Sequence, residues 1–289
     1  MRVVTFEHQQ RRSIGFVRDD RVIDLQRVGA AMPSTMLDLI RGGSGLLADI
    51  ARADMATADA YPLADVRLLA PIPNPSKYLA IGMNYQEHAQ EALRKGIPVP
   101  TSQLWFNKQV SCVTGPYDSV HMPSVSRELD YEAELAVIIG KRCRHVSRDQ
   151  AASVIFGYTI ANDVSVRDWQ LRSPTFTLGK SFDTHGPLGP WIVTANEIPD
   201  PHRLDMRMLV NGEVRQSTST GDMIYDIYDQ IEYLSTVMTL EPGDVIATGT
   251  PSGVGVAMNP PRFLEIDDVM RVEIDGIGHI ENVVIAEPR

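Results

Sequence analysis

Cysteine is almost missing from this chain: Cys112 and Cys143 are its only two in 289 residues. They give no disulfide framework and no zinc site of paired thiolates, so a reducing compartment is the default. No run approaches the ~18 consecutive apolar residues that a membrane span requires. The opening MRVVTFEHQQRR also lacks the apolar core of a signal peptide, so a cytoplasmic location is expected. Positive charge is short as well, with 27 Lys and Arg against 37 Asp and Glu and a net charge of −10. That balance argues against nucleic-acid and anionic-membrane partners. It leaves an anionic small molecule open as substrate, because a metal and a few local cations can invert the field inside a pocket. Internal repeats and low-complexity tracts are absent too.

What is present is a globular composition, 43% hydrophobic and 22% charged, long enough for one large domain or two unequal ones. The prolines of Pro71-Ile-Pro-Asn-Pro75 interrupt helix and ladder alike. They divide a small N-terminal unit, residues 1–70, from a larger one, residues 71–289. The first unit reads as short strands around Val3, Ile14 and Val22, then a helical piece from Met36 to Ile40 behind the N-cap Ser34, and a second helix between Leu46 and Ala60. His8 stands alone there and is read as packing.

The larger unit carries the chemistry. In Glu128 to Gly140, read as a half-buried strand, Glu132 and Glu134 share one face, while Tyr131, Ala133, Leu135, Val137 and Ile139 take the other. Two neighbouring carboxylates in such a strand are costly unless something positive lies between them, and a hard divalent cation is the economical partner. Asp163, at the end of an apolar strand, is a candidate third ligand. Three carboxylates without a zinc-type Cys or His set favour Mg²⁺, Mn²⁺ or Ca²⁺. His88 and Glu91, spaced i and i+3, meet on one helix face, as a general base with its orienting carboxylate would. Lys180 is a candidate oxyanion binder in the loop from Gly179 to Pro190. There His185 reads as a loop hydrogen bonder, and Lys108 reads as an exposed lysine. The loop Gly249 to Gly255 has no Gly-Lys-Ser/Thr and is no P-loop, but it could offer backbone N–H groups and the Thr250 hydroxyl to a carboxylate. Asn211-Gly212 marks a hairpin turn. Met223 to Leu240 reads as a helix whose Ile224, Ile227, Ile231, Leu234 and Val237 face the core.

Five segments in order, over roughly residues 77 to 285, resemble the fumarylacetoacetate hydrolase family. They are Gly82-Met-Asn-Tyr with His88 and Glu91, Asp130-Tyr-Glu-Ala-Glu-Leu-Ala-Val, Asn162-Asp-Val-Ser-Val-Arg-Asp, Gly179-Lys-Ser-Phe-Asp-Thr and Gly249-Thr-Pro-Ser-Gly-Val-Gly. The resemblance implies an α+β, mainly β fold: a mixed β-sandwich roll with a small N-terminal α/β domain, usually in a homodimer. It implies Mg²⁺ or Mn²⁺ on Glu132, Glu134 and Asp163, and a catalytic dyad of His88 and Glu91 on a lid. Arg167, Gln170, Lys180 and Thr250 match positions lining the substrate pocket. The expected reaction is hydrolysis of a C–C bond in a 2,4-dioxo acid such as an acylpyruvate, with His88 taking a proton from water and Lys180 and Thr250 neutralising charge. Decarboxylation or isomerisation of a related 2-oxo acid is the alternative within this chemistry. A non-catalytic metal- or ligand-binding scaffold is the alternative outside it.

Overall fold

The computed structural model describes residues 1–28, 32–53, 60–94, 96 and 98–288. The chain opens with three antiparallel strands, Arg2–His8, Arg11–Arg18 and Arg21–Asp24. They do not stay apart from the larger unit: Arg2 pairs with Val193 and Val3 with Ile192, on the strand Gly186–Thr194. The result is one mixed sheet of twelve strands among the described residues. At its middle, Gly186–Thr194, Ile155–Asn162, Ala133–Ile139, Val245–Ala247 and Tyr78–Gly82 lie side by side in that order. A second, five-stranded sheet contains the hairpin Asp205–Val210 and Glu213–Ser219 and the hairpin Val269–Ile274 and Gly278–Ala286. The expected mainly β, α+β architecture is the one observed. No helix among the described residues is long and apolar enough to cross a membrane.

The strand Ala133–Ile139 is buried along its whole length, which corrects the expectation of a half-buried strand. Leu135, Val137 and Ile139 share one core with Met206, Met208, Ile231, Leu234 and Val272. Ala136 and Ile138, on the face of Glu132 and Glu134, share another with Val3, Leu39, Ile40 and Ile50. The N-terminal strands and the helix Met36–Arg52 therefore cover the face that sequence alternation alone leaves to solvent.

The helical stretch Met36–Arg52 breaks at Gly43, whose φ 58 and ψ −153 are not helical, so two helices meet at a kink where Gly42-Gly43 was expected to end the first. The cap of the first is Thr35, not Ser34, because the Thr35 side chain accepts the Asp38 N–H. Residues 54–59 of the second expected helix lie outside the described residues. The expected helix from Met223 to Leu240 is shorter, Ile227–Val237, capped by Asp226. Met223 and Ile224 are instead tied to the Asn84-Tyr85 backbone. Ile227, Ile231 and Leu234 are buried as expected, but Ile224 and Val237 are exposed. The Asn211-Gly212 turn forms with both residues in the left-handed region, as a tight hairpin requires.

Candidate active site

Strand register brings the three carboxylates together. Ala133 lies opposite Asn162 in the antiparallel pair, and one step further the Asp163 N–H donates to the Glu132 carbonyl at 2.9 Å. Glu132 and Asp163 are thereby neighbours across the ladder, while Glu134 follows Glu132 on the same face. One oxygen from each of Glu132, Glu134 and Asp163 lies within 4.8 Å of the others, and all three residues are buried.

Cations pack around this cluster. Lys180 Nζ donates to Glu132 Oε2 at 2.9 Å and to Asp163 Oδ2 at 2.8 Å. Lys108 Nζ donates to Asp163 Oδ1 at 2.6 Å, to the Val164 carbonyl at 3.4 Å and to the Lys180 carbonyl. The reading of Lys108 as an exposed lysine is thus overturned: it is 1% exposed, and all three of its N–H groups are spent on protein oxygens. Arg167 donates from Nη1 to Glu132 Oε1 at 2.6 Å and to Gln170 Oε1 at 2.9 Å, and from Nε to Asp130 Oδ2 at 2.8 Å. Its buried Nη2 finds no hydrogen-bond partner among the described residues. Sequence reasoning also passed over Asp130, whose carboxylate accepts the Gly255 and Val256 N–H groups at 2.8 and 2.9 Å while holding Arg167. An acidic residue two before Glu132, on its own face of the extended chain, was the available signal.

Four buried carboxylates, Asp130, Glu132, Glu134 and Asp163, therefore meet three buried cations, Lys108, Lys180 and Arg167. The shortfall falls on Glu134. Burial, with Asp163 and Glu132 beside it, pushes its carboxyl well above the ordinary range, and Oε1 has no hydrogen-bond partner among the described residues. Glu132 goes the other way: burial would raise it, but Lys180 and Arg167 outweigh burial and hold it at about 2. An all-oxygen donor set with one deprived carboxylate oxygen suits a hard divalent cation.

Above the cluster lies a cavity of about 190 Å³. His88, Glu91, Glu132, Arg167, Gln170, Lys180 and Thr250 all line it, with an apolar wall that includes Leu104, Phe106, Leu171 and Phe176. His88 and Glu91 sit on the helix Gln86–Arg94, with Nδ1 and Oε2 3.0 Å apart. The Gly253 N–H meets Glu91 Oε1 at 3.4 Å, and Ser252 Oγ reaches Glu87 Oε2 at 3.2 Å, so the helix is tied to the glycine-rich loop. The N–H groups of that loop do meet carboxylates, and these belong to the protein itself: Gly249 donates to Glu134 Oε2 at 2.7 Å. Gly249 has φ +102, and a Cβ there would lie 2.7 Å from Asn84 Cβ, so no other residue fits that approach. Thr250 Oγ1 accepts from Gln216 Nε2 at 2.9 Å, which leaves its own O–H free to donate. His185 hydrogen-bonds the His121 carbonyl through Nε2 at 2.8 Å, as expected of a loop residue.

The family model described as fumarylacetoacetate (FAA) hydrolase C-terminal matches residues 77–285. The oxaloacetate tautomerase YisK of Bacillus subtilis (strain 168) is 40% identical over 301 residues, covering 98% of this chain and all of that protein. The mitochondrial oxaloacetate tautomerase FAHD2A of Bos taurus is 41% identical over 266 residues, 91% of this chain and 84% of its own. The crystal structure of maleylpyruvate hydrolase from Sphingobium sp. SYK-6 in complex with manganese(II) ion and pyruvate superposes with a TM-score of 0.83 at 37% identity, over the full length of both chains. With residues 77–285 matched by the family model and relatives 40% and 41% identical over most of the chain, the chain belongs to the fumarylacetoacetate hydrolase family.

Proposed function

We propose that the chain is a divalent-metal-dependent enzyme interconverting the enol and keto forms of a small 2-oxo diacid of the oxaloacetate type. The supporting observation is one cavity that unites the His88–Glu91 pair with two cations, Arg167 and Lys180, that keep unspent N–H groups. At about 190 Å³ it falls below the range of roughly 300–1,000 Å³ usual for drug-sized ligands. A four-carbon diacid suits it better than a bulky acylpyruvate. The full-length likeness to oxaloacetate tautomerases points the same way.

Glu132, Glu134 and Asp163 would hold Mg²⁺ or Mn²⁺, which supplies Lewis acidity to the oxo-acid oxygens and turns the site's net negative charge positive. Arg167 Nη2 binds a substrate carboxylate and Gln170 braces the guanidinium. Lys180 and the Thr250 hydroxyl meet the charge that develops on the C2 oxygen. Glu91 accepts the Nδ1 proton of His88 and so leaves Nε2 as the base. Nε2 takes the enol hydroxyl proton and returns a proton to C3, so that one O–H bond breaks and one C–H bond forms. A base so placed contributes roughly 10²–10⁴-fold.

A second reading is hydrolysis of the C–C bond of an acylpyruvate, in which His88 instead takes a proton from an attacking water. The likeness to maleylpyruvate hydrolase favours it. Loss of enol absorbance, followed with Mg²⁺ or Mn²⁺, separates the two when pyruvate release is assayed in parallel. Enol-oxaloacetate decay without pyruvate supports tautomerisation, and pyruvate from an acylpyruvate supports hydrolysis. Inertness towards both sinks the proposal.

A further inference from the structure

The segment from Leu171 to Leu178 leaves the site at Gln170 and returns at Gly179, and it meets the cavity in an unusual way. Leu171 and Leu178 are 73% and 57% exposed, and Arg172, Pro174 and Thr175 are exposed too. Leu171 and Phe176 both line the cavity, and Phe176, half-buried, packs its ring in the wall. Its ring stands edge-on to Phe106, centroids 5.9 Å apart and planes at 72°. The Phe106 ring lies in turn 5.0 Å from Lys180 Nζ. Phe176 is thus one ring removed from the Lys180 ammonium, which also lines the cavity. Its backbone has φ 60, a left-handed conformation uncommon for an aromatic residue and typical of positions that the surroundings over-determine.

The base of the segment is fixed independently of that ring. Arg172 stacks over Trp169 at 3.8 Å, and Trp169 stands edge-on to Phe182 at 5.6 Å. The Gly179 carbonyl accepts the Val166 N–H at 2.8 Å. A Cβ at Gly179 would lie 2.1 Å from the Gln170 nitrogen, so the two strands of the loop close tightly at its neck. With its ends held this way, the loop presents the Phe176 ring, the bulkier of its two lining side chains, where it can set how far the cavity extends.

We infer that Phe176 is the specificity-determining residue that limits the length of the substrate's distal group, so that the enzyme accepts short 2-oxo acids and rejects longer apolar ones. The inference rests on the 2-oxo acid reading above and deepens it. Arg167 and Lys180 share the Glu132 carboxylate on the cavity wall, and much of the remaining lining is apolar, with Phe176, Leu171 and Leu104 among it. Carbon atoms added to a substrate anchored at Lys180 and Arg167 must meet that wall. Each methylene beyond the limit should weaken binding roughly tenfold or more.

The test is calorimetric titration of straight-chain 2-oxo acids, from 2-oxobutanoate to 2-oxooctanoate, with Mn²⁺ present, into wild type, Phe176→Ala and Phe176→Leu. The wild type should show a length cut-off. Phe176→Ala should move it outward by about two methylenes or more, with affinity for the shortest acid within about threefold of wild type, and Phe176→Leu should fall between. A wild type indifferent to length overturns the inference, and so does a variant whose affinities fall equally at every length. If Phe176→Ala is unfolded by circular dichroism, the Phe176→Leu profile decides. A wild type that binds no 2-oxo acid removes the functional reading as well, whereas a cut-off without turnover removes the reaction and leaves the role of Phe176 intact.

Discussion

Replacing Lys108 by methionine isolates one link in the buried charge network. The Lys108–Asp163 pair is fully enclosed, with both side chains 0% exposed and the contact at 2.6 Å. Methionine keeps most of the apolar stem but removes every hydrogen bond of the ammonium. Asp163 Oδ1 then loses its counter-ion, and the Val164 and Lys180 carbonyls lose a donor. Removing one partner of a buried pair costs about 3–5 kcal/mol. In a chain of this size that lowers the melting temperature by on the order of 10 °C. The lost charge sits on a candidate metal ligand, so a divalent cation should restore part of the stability. A ligand at 100 times its dissociation constant adds about 2.7 kcal/mol, and the variant should gain more than wild type because its Asp163 is no longer shared. Differential scanning fluorimetry of both proteins, with and without Mn²⁺, reads this directly. Equal melting temperatures without cation, or equal gains with it, would refute the argument that Lys108 balances the site.

Glu134→Gln should behave in the opposite sense. It keeps an oxygen for the Gly249 N–H while removing a carboxylate that burial and its acidic neighbours oppose, so the cation-free protein should melt no lower than wild type yet lose its Mn²⁺-induced shift; a clear drop without cation would contradict this. His88→Ala should reduce enol–keto turnover by roughly 10²–10⁴-fold and retain the Mn²⁺ shift, and undiminished turnover removes the dyad from the mechanism. His185 gives a pH test. Burial lowers its pKa from 6.5 to about 3, so the unfolded chain takes up a proton between those values that the folded chain does not. The stability it contributes is complete above pH 6.5 and declines as pH falls towards 3, by about 1.4 kcal/mol per pH unit. In denaturant titrations from pH 7 to 4, His185→Gln should show a shallower decline than wild type, and parallel declines would refute the assignment.

Much of the site was legible because its key spacings are local. A period of two put Glu132 and Glu134 on one side of an extended chain, and the i, i+3 spacing put His88 against Glu91. Local sequence marks Asp163 only by its place at the mouth of an apolar strand, and the register of Ala133 against Asn162 makes it the neighbour of Glu132. Lys108 was misread because a lysine after a short strand carries no local mark of burial. Its tripod of acceptors comes from Asp163, Val164 and Lys180, more than fifty residues away. Helix ends moved for a similar reason, since the long-range tie between Ile224 and Asn84 displaced the start of the Ile227–Val237 helix.

By itself, then, the chain's own pattern determined the mainly β character, the hairpin at Asn211-Gly212, the two-carboxylate strand and the His–Glu pair. Each depends on backbone periodicity or turn geometry within a few residues. Tertiary structure alone decided that both faces of the Ala133–Ile139 strand were covered, which cations reached the carboxylates, and that Phe176 lined the cavity. Those outcomes depend on which distant segments pack together, and burial sets the strength of every charge interaction in the site.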